Sequence, residues 1–159
     1  MRAKIKKYIK LTIWIISLIL IGSFIGNSTK SSIDTWYQAL NRSPLTPPNY
    51  VFGIAWSILY ALIAFSGWLI WEAKNCYDLK LIKNLYISQL ILNWSWPPLF
   101  FSYQLIGISL ICLVMIVLLV AILVFKTYKN MTTASLLLVP YLLWLLFAGY
   151  LNFYIWQYN

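Results

Sequence analysis

Histidine is absent from the 159 residues, and the acidic residues number only three, Asp34, Glu72 and Asp78. Without histidine the chain lacks the usual haem and metal ligand and the usual general base near neutral pH. The two cysteines, Cys76 and Cys112, fall in an expected loop and inside an apolar run, a placement that suits neither a metal cluster nor a disulfide. All three acids lie at loop or run-end positions, so no carboxylate is set inside an apolar stretch to carry protons, and a proton-coupled small exporter is excluded. A phosphate-binding glycine loop, internal repeats and low-complexity tracts are also missing. No metal, no cofactor and no catalytic constellation are expected from these residues.

Charge itself is scarce. Charged residues make up 9% of the chain, against about 25% in soluble domains. Hydrophobic residues make up 62%, aromatic ones 18%, and the mean hydropathy is +0.79. Such a composition leaves no room for a separate water-soluble domain, and the expected class is an all-α membrane protein, a five-transmembrane-helix bundle forming one domain over 1–159. The five apolar runs are expected at about residues 11–29, 50–72, 81–101, 105–125 and 133–156. The first follows a basic tail, as in a signal peptide, but no Ala-x-Ala-like cleavage site follows it, so it reads as a retained helix. Its Gly22 and Gly26, four apart, permit close approach of a neighbouring helix.

The net charge of +9 does not point to nucleic acid, because the basic residues gather at the ends of apolar runs. Arg2, Lys4, Lys6, Lys7 and Lys10 precede the first run, Lys74, Lys80 and Lys83 follow the second, and Lys126 and Lys129 follow the fourth. The opposite side holds Lys30 and Arg42. By the positive-inside rule the N-terminus is cytoplasmic and the 27–49 loop is external; the expected location is the cell (inner) membrane.

The stretch 36–71 organises the rest. Pro44, Pro47 and Pro48 stiffen the external loop, Thr46 is the expected N-cap of the second helix, and Gly53, Trp56 and Tyr60 share one face of it. On the third run Gln89, Asn93 and Trp96 share a face; on the fifth, Pro140, Trp144, Ala148 and Asn152 do. Intramembrane polar residues mark either function or helix–helix contact. Three stripes that combine aromatic plates with small or amide side chains suggest a pocket between helices, with Trp56 and Trp144 facing it. Pro97, Pro98 and Pro140 are expected to bend their helices and open space.

At these residues the chain resembles the TspO family, the tryptophan-rich sensory proteins and mitochondrial translocator proteins (peripheral benzodiazepine receptors). The resemblance is carried by Trp36-Tyr37-x-x-Leu40 with Pro44 and Thr46-Pro47-Pro48; by Phe52-Gly53-x-x-Trp56-x-x-Leu59-Tyr60; by Gln89-x-x-x-Asn93-Trp94-x-Trp96-Pro97-Pro98-Leu99-Phe100-Phe101; and by Pro140-Tyr141-x-x-Trp144-x-x-Phe147-Ala148-x-x-Leu151-Asn152. It implies a five-helix bundle, often a homodimer through the third helix, that binds protoporphyrin IX and isoquinoline or benzodiazepine-type drugs within membrane lipid. It puts Trp56, Gln89, Asn93, Trp96, Trp144 and Ala148 toward the ligand, with Tyr60 and Asn152 on the same stripes. Three activities follow as expectations: a porphyrin receptor, sensor or translocator acting in porphyrin homeostasis and oxidative stress; light- and oxygen-dependent porphyrin degradation using Trp56 and Trp144; and sterol or lipid transport. The last is disfavoured, because no Lys or Arg follows Tyr154-Ile155-Trp156-Gln157. An anionic porphyrin needs a cation for its propionates, and Arg42, whose guanidinium can make two parallel hydrogen bonds, is the expected partner.

The charge asymmetry yields a test. In a variant otherwise free of cysteine, a cysteine placed at Lys30 is expected to react with impermeant reagent from outside only; labelling from the cytoplasmic face alone overturns the topology.

Overall fold

The structure is a computed structural model that describes residues 2–74 and 78–159; the side chains of Arg2, Ala3, Lys4 and Lys6 are not described, and Cys76 lies outside the described residues. Among the described residues the chain is helical without a strand. The long helices are α1 (Arg2–Ser28), α4 (Asn49–Glu72), α5 (Leu79–Pro97), α6 (Ile106–Tyr128) and α7 (Thr132–Tyr158), and two short ones, α2 (Lys30–Asp34) and α3 (Trp36–Ala39), lie in the connection after α1. In lipid every backbone N–H and C=O must be satisfied within the segment, which only helices achieve for single spans.

By length and composition four helical segments can cross a membrane: Lys7–Ser28, Asn49–Glu72, Ile106–Tyr128 and Thr132–Tyr158. The fifth expected span, α5, has 19 residues but carries Lys80, Lys83, Asn84, Gln89 and Asn93, and it does not meet the same measure of apolarity. The helices form a ring. α1 packs on α4, α4 on α7, α7 on α6 and α6 on α5, while α5 touches α4 and α1 more sparsely. Where α4 and α5 separate, large side chains fill the space. α6, whose nearly pure aliphatic run reads as lipid-facing or structural, buries one full face, from Ser109 and Cys112 through Ile116 and Val120 to Leu123. Cys112 is a buried free thiol.

The α4 N-terminus corrects the expected cap. Pro48 occupies the N-cap position without a side-chain cap, and the Thr46 backbone N–H instead donates to the Ser43 carbonyl at 2.9 Å, closing a turn. Two successive prolines cannot donate, so α5 ends at Pro97 and the chain makes a π-helical turn, Pro98–Ser102, in which the Tyr103 N–H reaches the Pro98 carbonyl at 2.9 Å. Gln104, with φ of 56°, then reverses the chain into α6. This turn presents Phe100 and Phe101 to the connection after α1. Tyr37 meets their rings at 6.1 and 5.4 Å, Trp36 meets Phe100 at 5.6 Å, and Trp96 stacks on Phe100 at 5.2 Å. The 27–49 stretch is therefore an anchored cap rather than a loose polar loop.

The glycine pair of α1 is used at one position. A Cβ on Gly22 would overlap the Tyr60 ring, whereas one on Gly26 meets nothing within 4 Å. Gly67 of α4 is the tighter notch: a Cβ there would overlap the Tyr86 hydroxyl and lie 2.6 Å from the Trp14 ring. The Tyr86 hydroxyl uses this space to donate to the Ile63 carbonyl at 2.8 Å, mooring α5 to α4. Overpacking of this kind costs about 1–3 kcal/mol. Gly67→Ala is expected to lower the thermal unfolding midpoint in detergent by several degrees, with Gly26→Ala neutral or slightly stabilising; equal effects would refute the notch.

Candidate functional site

The sparse side of the ring is bridged by a one-way chain of hydrogen bonds. The Tyr60 hydroxyl of α4 donates to Asn93 Oδ1 at 2.8 Å, Asn93 Nδ2 donates to the Tyr141 hydroxyl of α7 at 2.9 Å, and that hydroxyl donates to Gln89 Oε1 at 3.0 Å. All four side chains are buried. The chain ends at Gln89 Nε2, a fully buried donor with no partner among the described residues. A buried donor left unsatisfied costs about 1–3 kcal/mol.

A second node sits nearer the π-helical turn. Asn152 Oδ1 accepts from Trp96 Nε1 at 3.2 Å and from Ser109 Oγ at 3.1 Å, while Asn152 Nδ2 donates to the Ile106 carbonyl at 3.1 Å. This amide ties α5, α6 and α7 together. Asn93 and Asn152 thus act as helix ties, and of the three amides only Gln89 has a nitrogen with no hydrogen-bond partner among the described residues.

Aromatic plates line the join between α4 and α7. Trp56 lies against Tyr60 at 5.4 Å and edge-on to Tyr141 at 6.3 Å; one turn away Phe52 meets Trp144 edge-on at 5.9 Å, and Phe147 lies 5.7 Å from Trp144. Trp56, Trp144 and Ala148 are half-buried. The expected stripe on α7 is not uniform: Pro140 is exposed and Asn152 buried, so the inward line runs through Tyr141 and Leu145 instead. Gly53 is also exposed, so the α4 stripe passes from the surface at Gly53 to the core at Tyr60.

Arg42 stands apart from these groups, in the cap. Its guanidinium lies 5.2 Å over the Tyr37 ring and lines a cleft of about 780 Å³ together with Thr46, Pro47, Tyr50 and Tyr154. No carboxylate pairs with it among the described residues. Burial pushes the Tyr37 phenol above its usual range, with the Arg42 charge and hydrogen bond pulling partly against that rise. The cap is clamped to the end of α7: the Asn41 backbone N–H donates to Asn159 Oδ1 at 2.9 Å, Asn159 Nδ2 donates to the Asn41 carbonyl at 3.2 Å, and Ser43 and Tyr150 share a hydroxyl–hydroxyl bond at 2.9 Å.

Tyr141 and Ser109 were not singled out as site residues from the sequence. The signal for Tyr141 was present, because it stands eleven residues before Asn152, three helical turns on the same face. Ser109 had none, since a lone serine in an aliphatic run reads as neutral. Among the described residues no group of histidine, cysteine and acidic side chains is arranged to hold a metal ion.

The long apolar helices, joined by a buried amide–phenol chain and edged by an aromatic join under an anchored cap, define the class: an all-helical, multi-pass integral membrane protein. The profile of the TspO/MBR family matches residues 14–157. The chain is 38% identical over 154 residues to the tryptophan-rich protein TspO of Archaeoglobus fulgidus, covering 95% of this chain and 97% of that one. It is 34% identical over 142 residues to the translocator protein of Bos taurus, covering 87% and 84%, and 30% identical over 125 residues to protein CrtK of Rhodobacter capsulatus, covering 78% of each. The chain belongs to the TspO/MBR family.

Asn152→Ala removes the acceptor of Trp96 and the donor to Ile106 at once. Interhelical hydrogen bonds in membranes contribute on the order of 1 kcal/mol each, so the variant is expected to lose about 2 kcal/mol of stability, read by thermal unfolding in detergent, and to shift Trp96 emission. An unchanged midpoint would show that Asn152 is not a tie.

Proposed function

We propose that this protein is a membrane receptor or translocator for a large, flat, apolar ligand of the tetrapyrrole class, with protoporphyrin IX as the reference ligand. The observation that carries the reading is the unpartnered Gln89 Nε2 at the end of an otherwise satisfied hydrogen-bond chain, whose last hydroxyl, that of Tyr141, belongs to the ring that meets the half-buried Trp56 edge-on. A ligand acceptor reaching that donor recovers the free energy it forfeits in the empty bundle. Membership of a family that includes proteins named translocator and tryptophan-rich protein supports a transport or receptor role.

In this reading the porphyrin lies against the α4–α7 join, entering from the sparsely packed α4–α5 side, with Trp56 and Trp144 as its plates, and α5 serves as the fifth span. Ala148, small and one turn beyond Trp144, leaves room for the ring edge, and Trp96 and Asn152 hold the floor below. The propionates stay at the mouth, because burying an ionised carboxylate without a partner is prohibitive. Arg42, which lines the cleft and has no carboxylate partner among the described residues, takes one of them. The N-terminus lies on the cytoplasmic side, which puts the cap and the mouth outside.

Equilibrium titration of the purified protein with protoporphyrin IX tests this. Loss of one aromatic contact costs about 0.5–1.5 kcal/mol beyond burial, so Trp56→Ala and Trp144→Ala are each expected to weaken binding by roughly two- to twelvefold. Arg42→Gln is expected to weaken the diacid but not its dimethyl ester. Unchanged affinity in both tryptophan variants would end the reading. Illumination under oxygen distinguishes binding, which leaves the bound spectrum stable, from degradation, which bleaches it into a new product.

A further inference from the structure

At the end of the bundle that carries the N-terminus, α1, α4 and α5 meet in a second aromatic cluster. Trp14 lies 5.0 Å from Trp71 and 5.9 Å from Tyr86, and Trp71 lies 5.6 Å from Tyr86. Two lysines from different helices sit over tryptophans of α4 at this end: Lys7 Nζ is 4.9 Å from the ring centroid of Trp68, which packs on Phe65, and Lys83 Nζ is 5.4 Å from that of Trp71 in the cluster. Lys7 and Trp14 are two turns apart on one face of α1, and Trp68 and Trp71 are one turn apart on α4, so both lysines lie along the groove lines where α1 and α5 meet α4. Indole faces hold ammonium groups in position but leave their charge intact. Among the described residues neither lysine has a carboxylate within ion-pair distance: Asp78 is taken by Lys126 at 2.8 Å, and Glu72, exposed at the end of α4, pairs with neither. Trp68, 6% exposed, keeps an unpartnered Nε1 under Lys7.

We propose that this groove is a binding site for an anionic phospholipid of the leaflet on the N-terminal side. Two fixed positive charges over an aromatic floor, at the depth where a span ends, match a phosphodiester headgroup whose acyl chains continue along the helices. Trp71, 36% exposed, forms the reachable edge of the floor. The charge of Lys74 and Lys80, both exposed nearby, adds general attraction without belonging to the groove. The site is independent of the porphyrin reading, because none of its residues takes part in the chain from Tyr60 to Gln89.

Native mass spectrometry of the full chain in a neutral detergent, titrated with dioleoylphosphatidylglycerol and in parallel with dioleoylphosphatidylcholine, tests the proposal. Wild type is expected to retain one phosphatidylglycerol in preference to phosphatidylcholine. Each lysine at an anionic headgroup is worth about fivefold in affinity, so Lys7→Gln with Lys83→Gln is expected to weaken that binding by about tenfold or more. The control pair Lys74→Gln with Lys80→Gln stays within about twofold of wild type, and Lys7→Arg with Lys83→Arg keeps the lipid. Circular dichroism confirms that each variant is folded. Equal losses in the two glutamine pairs would reduce the effect to diffuse attraction, equal retention of the two lipids would remove the headgroup, and displacement by inorganic phosphate at matching concentration would make it a free-anion site; each overturns the proposal.

Discussion

The hydrogen bond from Tyr60 to Asn93, continued through Tyr141 to Gln89, is the constraint on which the bundle depends. Lipid tails are as apolar as leucine, so helices in a membrane gain little from burying aliphatic surface against each other. α6 and α7 solve this by close packing, but α4 and α5 approach too sparsely for that. Polar and aromatic side chains fill the difference, and every bond in the chain aligns one helix with another. Because each hydroxyl and amide points its donor the same way along the chain, the direction is set from Tyr60, and the surplus appears at the far end as the Gln89 N–H.

That surplus joins architecture to function. A fully close-packed interface would leave nothing for a ligand to recover, and an open cavity would leave the helices unregistered. Here the helices are held by side chains that leave one amide nitrogen unpartnered, and two tryptophans remain half-buried at the α4–α7 join. The π-helical turn forced by Pro97 and Pro98 contributes from the other side. It turns Phe100 and Phe101 toward Trp36 and Tyr37 and so fixes the cap that carries Arg42.

Much of this was legible in the residues. Apolar runs located the long helices, α4 to within a residue at its start, and the family resemblance rested on motifs that lie on α4, α5 and α7. The cap of α4 was misread because Thr46 before two prolines has the local signature of an N-cap, while a turn with Ser43 took its backbone N–H instead. The α7 stripe was drawn through Pro140 when its inward line passes through Tyr141, one residue away, since a face inferred from four residues drifts over three turns. Gly26 looked equivalent to Gly22 by spacing, yet only the neighbour's position decides which glycine is used. α5 was expected as an apolar run like the other four, and its lysines and amides, which keep it below their apolarity, were given too little weight; where those amides find partners is a three-dimensional fact.

A double-mutant cycle on Tyr60→Phe and Tyr141→Phe, read by thermal or denaturant unfolding in detergent, addresses the chain most directly. The two hydroxyls do not bond to each other, and Asn93 links them, so their effects are expected to couple by about 0.5 kcal/mol or more, with the double variant less destabilised than the sum of the singles. Effects that add to within about 0.3 kcal/mol would mean that the four side chains are separate contacts and not one chain.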